Sequence, residues 1–125
     1  MELYVTMNNR QIIGRKGESI ATAYLRSIGY KLYRRNTRLS RDEIDIIAYD
    51  PTDKVIVFTE VKTRAVFDRD YHPSLNMTGP KKKNTLRSAR RWVARHNYKG
   101  GYRIDLVCVA GRKVVDHVKE INFNL

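Results

Sequence analysis

Four residues carry the chemistry this chain has the means to do: Glu18, Asp45, Glu60 and Lys62. Glu60 and Lys62 lie in VIVFTEVK, from Val55 to Lys62. That run is rich in β-branched and aromatic residues and reads as a strand. Side chains alternate along a strand, so Glu60 and Lys62 share a face. Asp45 lies in EIDIIAYD, from Glu43 to Asp50, a second run of the same kind. Pro51-Thr52-Asp53-Lys54 separates the two runs with turn chemistry, which predicts a hairpin. A four-residue loop sets Asp50 opposite Val55 and Asp45 opposite Glu60, with Cβ atoms ~4.5–5.5 Å apart. A five-residue loop sets Asp45 opposite Thr59 and sends Glu60 to the other face. Opposed like charges destabilise a plain sheet, so the first register calls for a cation between them. Two carboxylates beside a lysine make a hard-oxygen Mg²⁺ site with a charge-stabilising partner.

Glu18 belongs to a helix predicted from about Gly14 to Ile28. Ile13, Ile20, Ala21, Tyr24, Leu25 and Ile28 form its apolar stripe, and Gly29 fits the position just past its end. Glu18 lies ~90° from the centre of that stripe, at its flank. It either completes the metal site or is an interfacial charge paired with Arg15 or Arg26.

The remaining elements frame these residues. Tyr30 to Arg35 reads as a weakly alternating strand. Residues 64–80, with Pro73, Gly79 and Pro80, read as a long loop, and long loops in compact domains are often functional. A second helix is predicted from about Pro80 to His96, with Leu86, Ala89 and Val93 as a narrow apolar stripe and Gly100-Gly101 beyond it. Tyr102 to Ala110 is the apolar run of a central strand covered on both faces. A last strand lies near Val114 to Val118. The order α-β-β-β-α-β-β predicts an α/β sheet with helices packed against it. Residues 1–125 read as a single domain, with a loose arm over 1–9 and a tail over 119–125.

Charge places the acidic residues in context. The chain of 125 residues has 25 Lys and Arg against 13 Asp and Glu, a net +12. Residues 10–41 hold nine basic residues against Glu18 alone, and residues 81–103 hold nine against none. The rest of the chain is therefore acidic on balance. Such a surplus suggests a polyanion, nucleic acid before membrane. No apolar run approaches the ~18–20 residues of a membrane span, and no secretory signal is legible. A single cysteine excludes a disulfide framework within the chain and a multi-cysteine zinc site. A reducing, cytoplasmic compartment is the expectation.

Several ordered blocks resemble a known family. They are Gly14-Arg15-Lys16-Gly17-Glu18, then Ala21, Leu25 and Gly29-Tyr30, then Asn36-Thr37-Arg38, Glu43-Ile44-Asp45-Ile46-Ile47-Ala48, Glu60-Val61-Lys62-Thr63-Arg64 and Arg103-Ile104-Asp105. Over roughly residues 10 to 110 the chain resembles the YraN-like family of small, largely uncharacterised bacterial proteins, similar to Holliday-junction resolvases. The resemblance implies a restriction-endonuclease-like, PD-(D/E)xK fold with a mixed central sheet flanked by helices. It implies that Asp45 and Glu60 bind Mg²⁺ or Mn²⁺, with Glu18 in support, and that Lys62 activates or positions the attacking water. The implied activity is a metal-dependent endonuclease on structured or branched DNA, with DNA ahead of RNA and a homodimer usual for junction-cutting enzymes. The family usually has Gly where Asp42 stands. Asp42 therefore either reshapes that loop or adds a carboxylate to the site.

On this reading Lys16, Arg34, Arg35, Arg38, Arg64, Lys81, Lys82, Lys83, Arg87, Arg90 and Arg91 grip phosphates without reading sequence. The alternative is a catalytically silent nucleic-acid-binding or partner-recruiting module on the same fold. Other signals point to packing. Gly14 and Gly17 do not have P-loop spacing and loosen the helix start. His72, His96 and His117 are scattered, which speaks against zinc. Cys108 reads as a small core residue and Trp92 as half-buried. Tyr24, Tyr30, Tyr33 and Tyr49 read as core-edge residues and not as base-stacking platforms. Asp105 pairs with Arg103 or Arg64, or else supports the site.

Overall fold

Along the chain run α1 (Asn9–Ser27), β1 (Lys31–Leu39), β2 (Asp42–Asp50), β3 (Val55–Arg64), α2 (Gly79–Arg95), β4 (Tyr102–Ala110) and β5 (Lys113–Val118). The computed structural model describes residues 9–39, 41–64 and 79–120, with side chains for 12–39, 41–64 and 84–120. Residues 1–8 of the predicted arm over 1–9, loop residues 65–78 with His72, residues 121–125 of the predicted tail over 119–125 and the side chains of Lys81, Lys82 and Lys83 lie outside the described residues. The α-β-β-β-α-β-β order is the one the patterning predicts.

The five strands form one mixed sheet in the order β1-β2-β3-β4-β5. Neighbours are antiparallel except β3 and β4, which run parallel. A parallel pair needs a crossover, and α2 lies on that connection. β4 is buried from Arg103 to Ala110, as a central strand between two layers must be.

Each face of the sheet has its own core. Ala21 and Leu25 of α1 pack with Ile46, Ala48, Val57, Val107 and Val109 on one face. Ala89 and Trp92 of α2 pack with Ile47, Phe58, Ile104 and Leu106 on the other. Leu86 and Val93 join the α2 stripe, as predicted. Trp92 is only 5% exposed, more deeply set than a half-buried residue at the stripe's flank. Cys108 is fully buried.

α1 begins five residues before the predicted start, at Asn9, so Gly14 and Gly17 are interior to it. Gly17 does not loosen the helix. It lets the helix approach β3, because a Cβ there would overlap the Thr63 side chain. The stripe ends before Ile28, which is 44% exposed, because the helix closes at Ser27 and the chain reverses through Gly29 at φ 95°.

The β2–β3 loop is the four residues Pro51–Lys54, with Asp50 paired to Val55. Asp50 Oδ1 accepts the Thr52 N–H at 2.9 Å and so folds the turn through its own side chain. β1 and β5 each carry one register shift, between Leu32 and Arg34 and opposite Cys108/Val109. A bulge of this kind swings the following side chains to the other face.

Candidate active site

The β2–β3 ladder runs from Asp50↔Val55 to Ile46↔Thr59. Continued by one step it would oppose Asp45 to Glu60. The paired ladder stops short of that like-charge contact. The Asp45 carboxylate instead accepts the Val61 N–H through Oδ2 at 2.8 Å. A side chain thus replaces a ladder bond, and it holds Asp45 at the Glu60–Val61 peptide. Glu60 is buried, at 7% exposure. It shares its strand face with Phe58 and Lys62, the face turned to α2. Lys62 pairs with Cys108 of β4, which pairs with Asp116 of β5. Burial pushes the Cys108 thiol up to about 12, and the Lys62 charge partly opposes that.

Glu18 approaches from the other side. The tight Gly17–Thr63 contact brings the N-terminal half of α1 against the end of β3. The predicted partners Arg15 and Arg26 are not the ones it finds. Its carboxylate faces Arg35 at 3.8 Å. Burial raises the Glu18 carboxyl, a hydrogen bond with Asn36 and the Arg35 charge lower it, and the Glu43 and Glu60 charges raise it again. The net shift is upward. Gly14, Arg15, Glu18, Ser19, Arg35, Asn36 and Glu43 line an open groove of about 700 Å³. Glu43 and Asn36 were not singled out by residue spacing. The one signal for Asn36 is its type, since Asn tolerates the left-handed backbone it adopts at φ 51°.

The bulge in β1 explains why adjacent arginines part. Arg34 pairs with Ile47, on the α2 face, and Arg35 with Ile46, on the α1 face. Only Arg35 therefore reaches Glu18 and Ser19.

The oxygen-only donor set of Asp45 and Glu60 suits Mg²⁺, which is commonly held by one or two carboxylates and completes its shell with water and phosphate oxygens. The described residues contain no group of three or more His, Cys, Asp or Glu placed to hold one ion. Glu18 is within electrostatic reach of Glu60 but is tied to Asn36 and Arg35.

Asp42 does not add a carboxylate to this site. Arg87 of α2 donates to its Oδ2 from Nε at 3.2 Å and from Nη2 at 2.7 Å. That hydrogen bond holds the Asp42 carboxyl below its usual range. The backbone there needs no glycine, since Asp42 is not among the residues with positive φ. Arg38 faces Glu43 across the β1–β2 pair at 3.7 Å. Lys16, Arg34, Arg38, Arg64, Arg87, Arg90 and Arg91 are exposed, and Arg35 is half-buried. Arg87, Arg90 and Arg91 with Leu86 and Ala94 line a shallow cavity of about 520 Å³ on α2.

On the α1 face lies a polar network that residue spacing did not reveal. Asp105 is fully buried and pairs with Arg103, not Arg64, through Nε at 2.8 Å and Nη2 at 3.0 Å. Arg103 also reaches Asp50, Asp53 and the Tyr30 hydroxyl. His117 Nε2 meets Asp105 Oδ2 at 2.8 Å, and its Nδ1 meets the Tyr24 hydroxyl at 2.9 Å. A neutral His117 protonated at Nε2 satisfies both bonds, with the tyrosine donating. This network stands on the opposite face from Glu60 and Lys62 and ties the β2–β3 turn, β4, β5 and α1 together.

Comparison with known proteins places Glu18, Asp45, Glu60 and Lys62 within a matched region. The model of the uncharacterised protein family UPF0102 matches residues 17–109. A UPF0102 protein of Chloroherpeton thalassium is 34% identical over 94% of this chain and 87% of its own. One from Streptomyces coelicolor is 40% identical over 92% of both chains. A third, from Prosthecochloris aestuarii, is 40% identical over 80% of this chain and 77% of its own.

Proposed function

This chain belongs to the uncharacterised protein family UPF0102, and from that premise we propose that it is a divalent-metal-dependent endonuclease for structured or branched DNA. The observation that carries the reading is the Asp45 carboxylate, held by the Val61 N–H between buried Glu60 and Lys62. Asp45 and Glu60 would hold Mg²⁺ or Mn²⁺. When bound, that ion polarises the scissile phosphate and lowers the pKa of a coordinated water. Lys62 places its ammonium where negative charge develops on the phosphate. Glu18 balances the site from the α1 side. Lys16, Arg34, Arg64, Arg90 and Arg91, with Lys81 to Lys83 as the sequence-based part, grip the flanking phosphates.

The test is cleavage of a four-way junction and of supercoiled plasmid with Mg²⁺ or Mn²⁺. Wild-type protein cuts, and Asp45→Ala does not. Lys62→Met loses about 10²–10³-fold in rate while junction affinity measured in EDTA stays the same. Equal cutting by wild type and Asp45→Ala sinks the reading. One observation favours the silent-module alternative: Glu18 is tied to Asn36 and Arg35. That alternative expects salt-sensitive binding, indifferent to EDTA, with no nicking by either protein.

A further inference from the structure

We propose that Tyr33 and Arg34 form a stacking platform for unpaired nucleobases, seated beside the candidate site on the α2 face of the sheet. The inference rests on the nucleic-acid half of the function proposed above and not on cleavage.

The platform is made by the β1 bulge. Register shifts between Leu32 and Arg34, leaving Tyr33 as the extra residue. Leu32 belongs to the α1-side core, whereas Arg34 pairs with Ile47 of the α2-side core. Tyr33 meets Trp92 of α2 edge-on, with centroids 5.9 Å apart at 85°. Two successive side chains thus reach the same face, which regular alternation forbids. The Arg34 guanidinium lies 5.6 Å from the Tyr33 ring centre. Tyr33 is nevertheless 55% exposed, more than any other large hydrophobic residue described. The sequence-based assignment of Tyr33 as a core-edge residue therefore does not stand. Tyr30 does fit it, at 6% exposure.

The ring does not stand alone. Trp92 also contacts Phe58 at 5.5 Å, and Phe58 contacts Tyr102 at 5.8 Å. Tyr102 is 37% exposed, so two of the three exposed large hydrophobics among the described residues belong to one ring cluster. Trp92 and Phe58 are buried, so the cluster reaches the surface at its two ends, and Tyr33, the more exposed end, is the face open to a ligand. His96, exposed, stacks on Trp92 at 4.1 Å.

Charge selects the occupant. Arg34 lies over the Tyr33 ring, Arg91 and Arg95 flank Trp92 along α2, and no acidic residue occurs from 81 to 103. Cations alone suffice to hold a duplex backbone. Open aromatic and guanidinium faces gain from bases that are not already stacked inside a helix. Arg34 pairs with Ile47, two residues from Asp45 on the same strand face, so a strand stacked on Tyr33 lies beside the carboxylates.

The experiment measures binding in EDTA, by anisotropy, of labelled oligo-dT and of a blunt duplex of equal length. The proteins are wild type, Tyr33→Ala and Tyr33→Phe, with thermal unfolding as the fold control. Wild type is expected to favour oligo-dT. Tyr33→Ala should bind it about tenfold or more weakly, with duplex affinity unchanged, and Tyr33→Phe should restore it. Equal oligo-dT binding by wild type and Tyr33→Ala overturns the platform and leaves the nuclease reading standing. Parallel loss on both substrates also overturns it. Absence of binding to either substrate by the wild type overturns platform and nucleic-acid reading together. Tyr33-dependent binding without metal-dependent cutting supports the platform and removes only the nuclease.

Discussion

At Asp105 burial alone would push the carboxyl up, but hydrogen bonds from His117, Arg103 and the Glu120 N–H outweigh it and hold it below the usual range. A depressed folded value means a stabilising contribution present above the unfolded value of ~3.9 and lost as pH falls through the folded one. Truncating one partner of a buried ion pair strands the other. Asp105→Ala is therefore expected to lose about 3–5 kcal/mol at neutral pH. Thermal or urea unfolding from pH 7 down to 3 checks this: the gap between variant and wild type narrows below pH ~4. A gap independent of pH would mean that the carboxylate charge is not what stabilises. The sequence reading gave Asp105 Arg103 or Arg64 as partner, and Arg103 is the one it has. His117 stayed invisible because it reaches the α1 face only through a bulge. Val114 pairs with Val109, but Asp116, not Val115, pairs with Cys108, and His117 then falls opposite Val107.

Elements here are positioned by a few close contacts. Gly17 is one, and it sets how near α1 comes to the end of β3. Ala is favoured over Gly inside a helix by about 1 kcal/mol, so Gly17→Ala would stabilise a free helix. Against Thr63 it is expected to destabilise by about 1–3 kcal/mol instead. Combining it with Thr63→Ala should recover part of that loss, as a double-mutant cycle in chemical denaturation would read out. Additive losses would mean that the two residues do not press on each other. Element order and most boundaries were legible because periods of two and of about 3.6 differ plainly in a sequence. The β2–β3 turn was legible from its Asp and Pro, but the choice between four and five loop residues, on which the register turns, was not. Bulges carry no such mark: one extra residue in β1 separates Arg34 from Arg35, and it was that residue, Tyr33, whose surroundings sequence patterning misjudged.

Across the whole molecule the +12 surplus is less free than it looks. Arg87 is held by Asp42, Arg38 faces Glu43 and Arg35 faces Glu18. Exposed pairs of this kind contribute little to stability, but a phosphate must displace the carboxylate before it gains the arginine. An arginine already matched inside the protein releases fewer counterions from nucleic acid. The slope of log K against log salt should therefore be shallower than the cation count suggests. Asp42→Asn is expected to steepen it by up to about one unit, with binding tightened at low salt. A titration series across salt concentrations measures this, and an unchanged slope would mean that Arg87 stays away from the bound phosphate. The Arg103 network bears on a different property. It joins Tyr30, Asp50, Asp53, Asp105 and, through Asp105, His117, and its bonds to Tyr30, Asp50 and Asp53 form only once β4 has docked beside β3. Where such bonds are absent from the folding transition state they act on the unfolding rate, and the lifetime of the folded chain, more than the speed of its assembly, then rests on one buried guanidinium.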